Sequence, residues 1–243
     1  VIGITDSVSK TTTKEVIAAI LAEQFPVVKS YANLDPIFNI PLRVLLDIRD
    51  AEKFVAEMGG DGFGQMDKYL TLIQPRIGIV TRFSLAHSDE EHFGSLEGLI
   101  REKSRLIEAL PPYGWALLNG DDPNVRRLTE QTDVTPRLCG LGEGNDCRIT
   151  NFRQWVEKNR ARSEFRLEYG SEVWKFETNL LGRHNTLAAA FGVIVGHLMG
   201  LETEQIQAGL LRVQPVPGRL EPTAGKFGLV IDDTYNASPK ATK

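Results

Sequence analysis

The opening stretch, VIGITDSVSKTTTKEVIAAILAEQ, restricts what this chain can fold into more than any other segment. An apolar run from Val1 to Ile4 reads as a buried strand, and a short polar loop from Thr5 to Lys10 follows. Thr11 then opens a helix whose apolar positions, Val16, Ile17, Ile20 and Leu21, recur at helical spacing. Strand, loop ending in Lys-Thr, helix is the layout of a phosphate-binding loop. Backbone N–H groups at a helix N-terminus converge on an anion there, and the helix dipole favours negative charge. On this reading Ser7, Ser9, Lys10, Thr11 and Thr12 surround the phosphates. Lys10 reaches the terminal ones, and the Thr11 hydroxyl holds Mg²⁺.

The loop departs from the standard pattern. Glycine is expected five residues before Gly-Lys-Ser/Thr and again just before the lysine, and those places hold Ile4 and Ser9. A version with glycine at every third position would use residues 3, 6 and 9, of which only Gly3 is glycine. An ordinary strand-to-helix turn capped by Ser or Thr is the competing reading. Asp6 is the costliest departure. A carboxylate ~4 Å from a phosphate charge, at an effective dielectric near ~20, costs about 4 kcal/mol, roughly a thousandfold in affinity. Ser9 adds a β-carbon where the backbone should touch phosphate and where a positive φ is disfavoured.

Further along, strands are expected at Val27–Lys29, Phe54–Glu57, Ile77–Val80 and Trp115–Leu118. Helices are expected at Leu42–Leu46, Met66–Ile73, Ser95–Leu110 and Pro123–Gln131, with Ser95 capping the clearest of them. This alternation predicts an α/β fold, a phosphate-loop-type mostly parallel sheet with helices on both faces. From Arg148 to Phe152 and from Glu164 to Thr178 the pattern becomes two-residue alternation, with a hairpin turn at Tyr169-Gly170-Ser171. A small antiparallel sheet around residues 147–180 is therefore expected on the main one. Helical spacing returns at Leu187–Met199 and Thr203–Leu211, and Phe227–Ile231 is β-like. The net charge of −4 and the lack of a basic stripe argue against nucleic acid as a partner. No apolar run approaches the roughly 20 residues that span a bilayer. No signal peptide is seen, and two cysteines, Cys139 and Cys147, suit a reducing cytoplasm.

Taken together, the motifs resemble the central, ATP-binding domain of the Mur ligase family, and within it are most similar to the MurF type. The opening loop resembles that family's GITGSVGKTTTK. Ala56-Glu57-Met58-Gly59 resembles its EMG strand end, and Thr81 to His87 with Phe93-Gly94-Ser95 resembles TNIGPAH…FGS. Leu118 to Pro123 resembles LNADDP, Gly182 to Asn185 is its GRHN, and Pro217-Gly218-Arg219 its PGR. Asp232 to Ala237 resembles DDSYNA, the segment that favours the MurF type. The motifs follow the family's order across almost the whole chain.

The resemblance implies a ligase that joins a UDP-muramyl peptide to D-alanyl-D-alanine through an acyl phosphate, using ATP and Mg²⁺. Glu57 and His87 would be magnesium ligands or partners near the γ-phosphate. Lys103 would help to hold a second magnesium, as a carbamylated lysine in several relatives. Asn185 would face the adenine, and Arg219 and Asp233 would reach nucleotide groups. Residues 1–225 would form the central domain and residues 226–243 the start of a C-terminal one, with the family's N-terminal domain and most of its C-terminal domain outside this chain. Arg82 stands where the family carries asparagine, and either claims a phosphate or blocks the magnesium site. The departures at Asp6, Ser9 and Arg82 support an alternative, a degenerate domain that binds a partner with weak or no ATP turnover.

Plainer readings stand beside these. Lys103 sits among Arg101, Glu102 and Arg105, a stretch that suits a solvated helix face. Asp61-Gly62-Phe63-Gly64 has the wrong order for a kinase D-F-G and reads as a turn. Ser7 to Lys10 matches S-x-x-K, but the partner motifs of penicillin-recognising enzymes are missing.

Overall fold

The structure is a computed structural model and describes residues 1–7, 9–31, 36–84, 91–157, 160–226 and 228–234. Its first strand, β1 (Ile2–Thr5), lies inside the sheet and is buried along its whole length. It pairs in parallel with β3 (Lys53–Glu57) on one side and β4 (Ile77–Val80) on the other. β2 (Val27–Lys29) forms one edge beyond β3. Beyond β4 lie β5 (Trp115–Asn119), β6 (Pro136–Gly140) and β7 (Cys147–Glu157), all parallel. β8 (Arg160–Tyr169) and β9 (Glu172–Thr178) then return antiparallel. The expected mostly parallel α/β sheet is present, and the antiparallel strands extend its edge. A separate antiparallel pair joins β10 (Glu221–Gly225) to β11 (Gly228–Asp232).

Strands covered on both faces send alternate residues to different helices. Ile2, Ile4, Val55, Ile77, Ile79 and Leu117 face one cluster with α1 (Lys10–Leu21), α6 (Asn185–Leu198) and α7 (Thr203–Arg212). Phe54, Ala56, Val80, Ala116 and Leu118 face the other, which includes residues of α2 (Pro36–Leu46), α3 (Gln65–Leu72), α4 (Leu96–Glu108) and α5 (Pro123–Arg126). Ser95 caps α4 as expected, its Oγ accepting the Gly98 N–H at 3.1 Å.

Several boundaries differ from expectation. α2 starts at Pro36 rather than Leu42. β6 was not expected, because Pro136 and Arg137 interrupt its apolar run. Arg137 is accommodated by donating from Nε to the Tyr169 hydroxyl at 3.0 Å and by lying 5.6 Å from the Trp115 ring centroid. β7 runs past Phe152 to Glu157 through a register shift between Thr150 and Arg153, where Asn151 takes φ 52° and breaks the alternation. The helix from Pro123 gives way to a 3₁₀ turn over Arg127–Glu130.

α7 rests on α1 at Gly209, where a β-carbon would lie 2.5 Å from the Ile20 Cα. Backbone cannot move aside as a side-chain tip can. Gly209→Ala is therefore expected to destabilise the fold by about 1–3 kcal/mol, read from chemical denaturation.

Candidate functional site

The carboxyl ends of the central strands deliver Asp6 after β1, Glu57 at the end of β3, Thr81 after β4 and Asn119 at the end of β5. In open α/β sheets the crevice outside these ends, where connections leave in opposite directions, is the usual ligand position.

Ser9 precedes α1 with φ 86° and ψ 3°, and its side chain makes no cap. Its carbonyl accepts the Thr13 N–H and the Thr13 hydroxyl, both at 3.0 Å. The β-carbon expected to oppose a positive φ does not prevent one. The loop takes the left-handed turn without glycine, at a cost of about 1–2 kcal/mol. Relief by Ser9→Gly is expected to raise stability by about 1 kcal/mol in denaturant titrations.

Asp6 points inward, and its side chain has no exposed surface. Its Oδ1 accepts from Lys10 Nζ at 2.9 Å, and the same ammonium donates to the Asp6 carbonyl at 2.7 Å. The Thr81 hydroxyl donates to Oδ2. Burial pushes the Asp6 carboxyl up from its ordinary pKa, with Lys10 and Thr81 acting against that. Lys10 thus turns back onto Asp6. Ser7 does not reach the cleft lining. Its N–H donates to the Arg82 carbonyl at 2.9 Å and its Oγ accepts the Ser84 N–H at 3.2 Å. These bonds tie the exits of β1 and β4 together.

A second cluster lies at the end of β3. Thr11 Oγ1 is 3.2 and 3.3 Å from the two Glu57 oxygens. Lys14, fully buried, places Nζ 3.4 Å from Glu57 Oε2 and 3.5 Å from Glu15 Oε1. Glu57 N–H donates to Ser30 Oγ at 2.7 Å. A hydroxyl and a carboxylate are oxygen donors of the kind Mg²⁺ takes, which usually completes its shell with water and phosphate. Among the described residues, no group of three or more His, Cys, Asp or Glu could hold a metal. Lys103 is buried rather than solvated, and its Nζ donates to the Gly60 carbonyl at 3.0 Å. Its neighbour Glu102 accepts the Gly64 and Met66 N–H groups at 2.9 and 2.8 Å, fixing the start of α3.

A cleft of about 410 Å³ opens at the start of α1. Ser9, Thr12, Arg82, Asn119, Asn185, Arg219 and Asp233 all line it. Six of the residues singled out in the sequence, Arg82 among them, therefore meet there, whereas Lys10, Thr11, Glu57 and Lys103 do not line it. Asn185 begins α6 and donates to the Leu181 carbonyl at 2.7 Å. Asp233 Oδ1 accepts the Leu220 N–H at 3.3 Å. His87 lies outside the described residues, as do Tyr235, Asn236 and Ala237.

Sequence pattern alone assigns no role to Lys14, Thr81, Asn119 or Glu102. Lys14 carried a usable signal: it is three residues after Thr11, hence on the same helix face.

The model of the Mur ligase middle domain matches residues 4–196. The chain belongs to the Mur ligase family. It is 32% identical, over all of its length, to the UDP-N-acetylmuramoyl-tripeptide–D-alanyl-D-alanine ligase of Bacillus subtilis, of which it covers 51%. It superposes on MurF from Acinetobacter baumannii with a TM-score of 0.87, at 27% identity, over 99% of this chain and 52% of that one. A crystal structure of MurF ligase from Thermotoga maritima in complex with ADP gives 0.85 at 26% identity, over 99% and 54%. The chain spans about half the length of the curated relatives it matches. No helix among its described residues is long and apolar enough to cross a membrane.

Burial lowers the pKa of His184, in the cleft wall, with Asp233 acting against it. Burial also lowers that of His197, which stacks on Trp174 at 4.3 Å, with Glu172 and Glu202 acting against it. The unfolded chain therefore binds protons more readily at both. Their contribution is complete above about 6.5, the ordinary histidine value, and is lost as pH falls from there through the lowered folded values. Melting temperature should fall as pH is lowered below about 6.5, and fall less in a His184→Gln/His197→Gln variant. Asp6, shifted the opposite way, titrates in both proteins and cancels in the comparison.

Proposed function

We propose that this chain is the ATP-binding part of an amide-forming ligase of peptidoglycan precursor synthesis. The cleft carries this reading, because it joins Ser9 and Thr12 of the phosphate loop to Asn185, Arg219 and Asp233 from the far end of the chain. Family membership and the ADP in the Thermotoga maritima relative support it.

Asn185 faces the adenine, and Arg219 and Asp233 take other nucleotide groups. Thr11 and Glu57 would hold Mg²⁺, which when bound neutralises phosphate charge. His87 and Lys103 keep the site roles that the resemblance implies. The γ-phosphoryl group passes from ATP to the carboxylate of a UDP-muramyl-peptide-like substrate, releasing ADP. A D-alanyl-D-alanine-like amine then attacks the acyl phosphate, forming the amide and releasing phosphate. The chain's part in this is positioning and charge stabilisation. Residues 1–225 form the central domain and 226–243 begin the next, so the substrates' own sites lie largely in domains outside this chain. A cytoplasmic location goes with this chemistry.

One observation favours a second reading: Asp6 engages Lys10 at 2.9 Å. A domain so altered binds a partner or precursor with weak or no ATP turnover. Calorimetric titration with Mg·ATP separates the two. The ligase reading expects a dissociation constant below about 1 mM, weakened about tenfold by Arg219→Ala through loss of a charged hydrogen bond. Absence of binding at millimolar ATP would support the second reading.

A further inference from the structure

We propose that Arg82, not Lys10, supplies the main side-chain cation to the terminal phosphates of the bound nucleotide. The inference rests on the nucleotide reading of the cleft.

Lys10 is committed elsewhere. Its ammonium bridges the Asp6 carboxylate and the Asp6 carbonyl, at 2.9 and 2.7 Å. The Asp6 side chain has no exposed surface, so a departing Lys10 would leave a buried carboxylate with the Thr81 hydroxyl but without this ammonium. Breaking a buried pair from one side is strongly unfavourable.

Arg82 is held differently. It lines the same cleft as Ser9, and its side chain is 56% exposed. Among the described residues it pairs with the Asp122 carboxylate, whose Oδ2 stands 3.9 Å from its Nε, beyond hydrogen-bond range. The other oxygen of Asp122 is engaged at the start of α5, accepting the Asn124 and Val125 N–H groups at 2.9 and 3.2 Å. The guanidinium can therefore turn to an anion at little cost, and its planar fork matches phosphate oxygens.

Its backbone is anchored to the phosphate loop. The Ser7 N–H donates to the Arg82 carbonyl at 2.9 Å, and the adjacent Thr81 hydroxyl bonds Asp6. One departure from the family pattern adds a carboxylate after β1, and the other adds a guanidinium after β4. The two charges cancel. The cationic character of the site mouth is kept but moves from α1 to the β4 exit.

The test titrates Mg·ATP and AMP into wild type, Arg82→Gln and Arg82→Lys. Arg82 is exposed, so these variants are expected to fold. Arg82→Gln should weaken Mg·ATP about tenfold while leaving AMP unchanged, and Arg82→Lys should recover part of the loss. In an Asp6→Gly background, where Lys10 is released, the Arg82→Gln penalty should shrink. Equal Mg·ATP affinity in wild type and Arg82→Gln overturns the assignment and leaves the nucleotide reading standing. Equal weakening of ATP and AMP also overturns it, because the contact would not be to the terminal phosphates. Failure of wild type to bind Mg·ATP at all overturns both.

Discussion

Asp6 carries a carboxylate into a position at the mouth of β1 with no exposed surface, and Lys10 is the cation beside it. Removing one partner of a buried pair costs about 3–5 kcal/mol, so Lys10 is held in its inward rotamer. That pair closes the loop ahead of α1, which passes through Ser9 at φ 86°, and the Thr81 hydroxyl ties the same carboxylate at the β1 exit to the β4 exit. A phosphate loop normally leaves its lysine for the ligand. Here the lysine's first partner belongs to the protein.

The rest of the site follows from how α1 is held. Its first turn sends Thr11 and Lys14 towards Glu57 and exposes Ser9 and Thr12 to the cleft. Its far end is clamped by α6 and α7 at Gly192 and Gly209, where β-carbons would meet Val16, Ile20 and the Ile20 backbone. A helix gripped along its length can carry a strained residue at its start. The Thr11–Glu57–Lys14 cluster is consequently charge-compensated, the buried ammonium resting on the carboxylate that magnesium would use.

How much of this was legible in the sequence depends on how far apart the interacting residues lie. β1, β4 and β5 are unbroken apolar runs and were readable, as was α4 with its Ser95 cap. β6 was not, because Arg137 finds its compensation in Trp115 and Tyr169 on other strands. The bulge at Asn151 hid the second half of β7 by shifting the alternation. Motif resemblance brought Ser9, Thr12, Asn185, Arg219 and Asp233 onto one list, and they meet in one cleft. The pairings of Asp6 with Thr81, Lys14 with Glu57 and Glu102 with Gly64 span 75, 43 and 38 residues, and beyond the shared helix face of Lys14 and Thr11 local pattern carries no trace of them. The direction of Lys10 was likewise invisible: the same sequence suits a lysine reaching out or one turned in.

The most direct test of this account is the Mg·ATP dissociation constant of Asp6→Gly beside that of wild type. Removing the carboxylate releases Lys10 and takes a negative charge from the site mouth, so the account predicts affinity at least about tenfold tighter. Unchanged or weaker binding in a folded Asp6→Gly protein would contradict it, because the ion pair would then not be what keeps Lys10 from the phosphates.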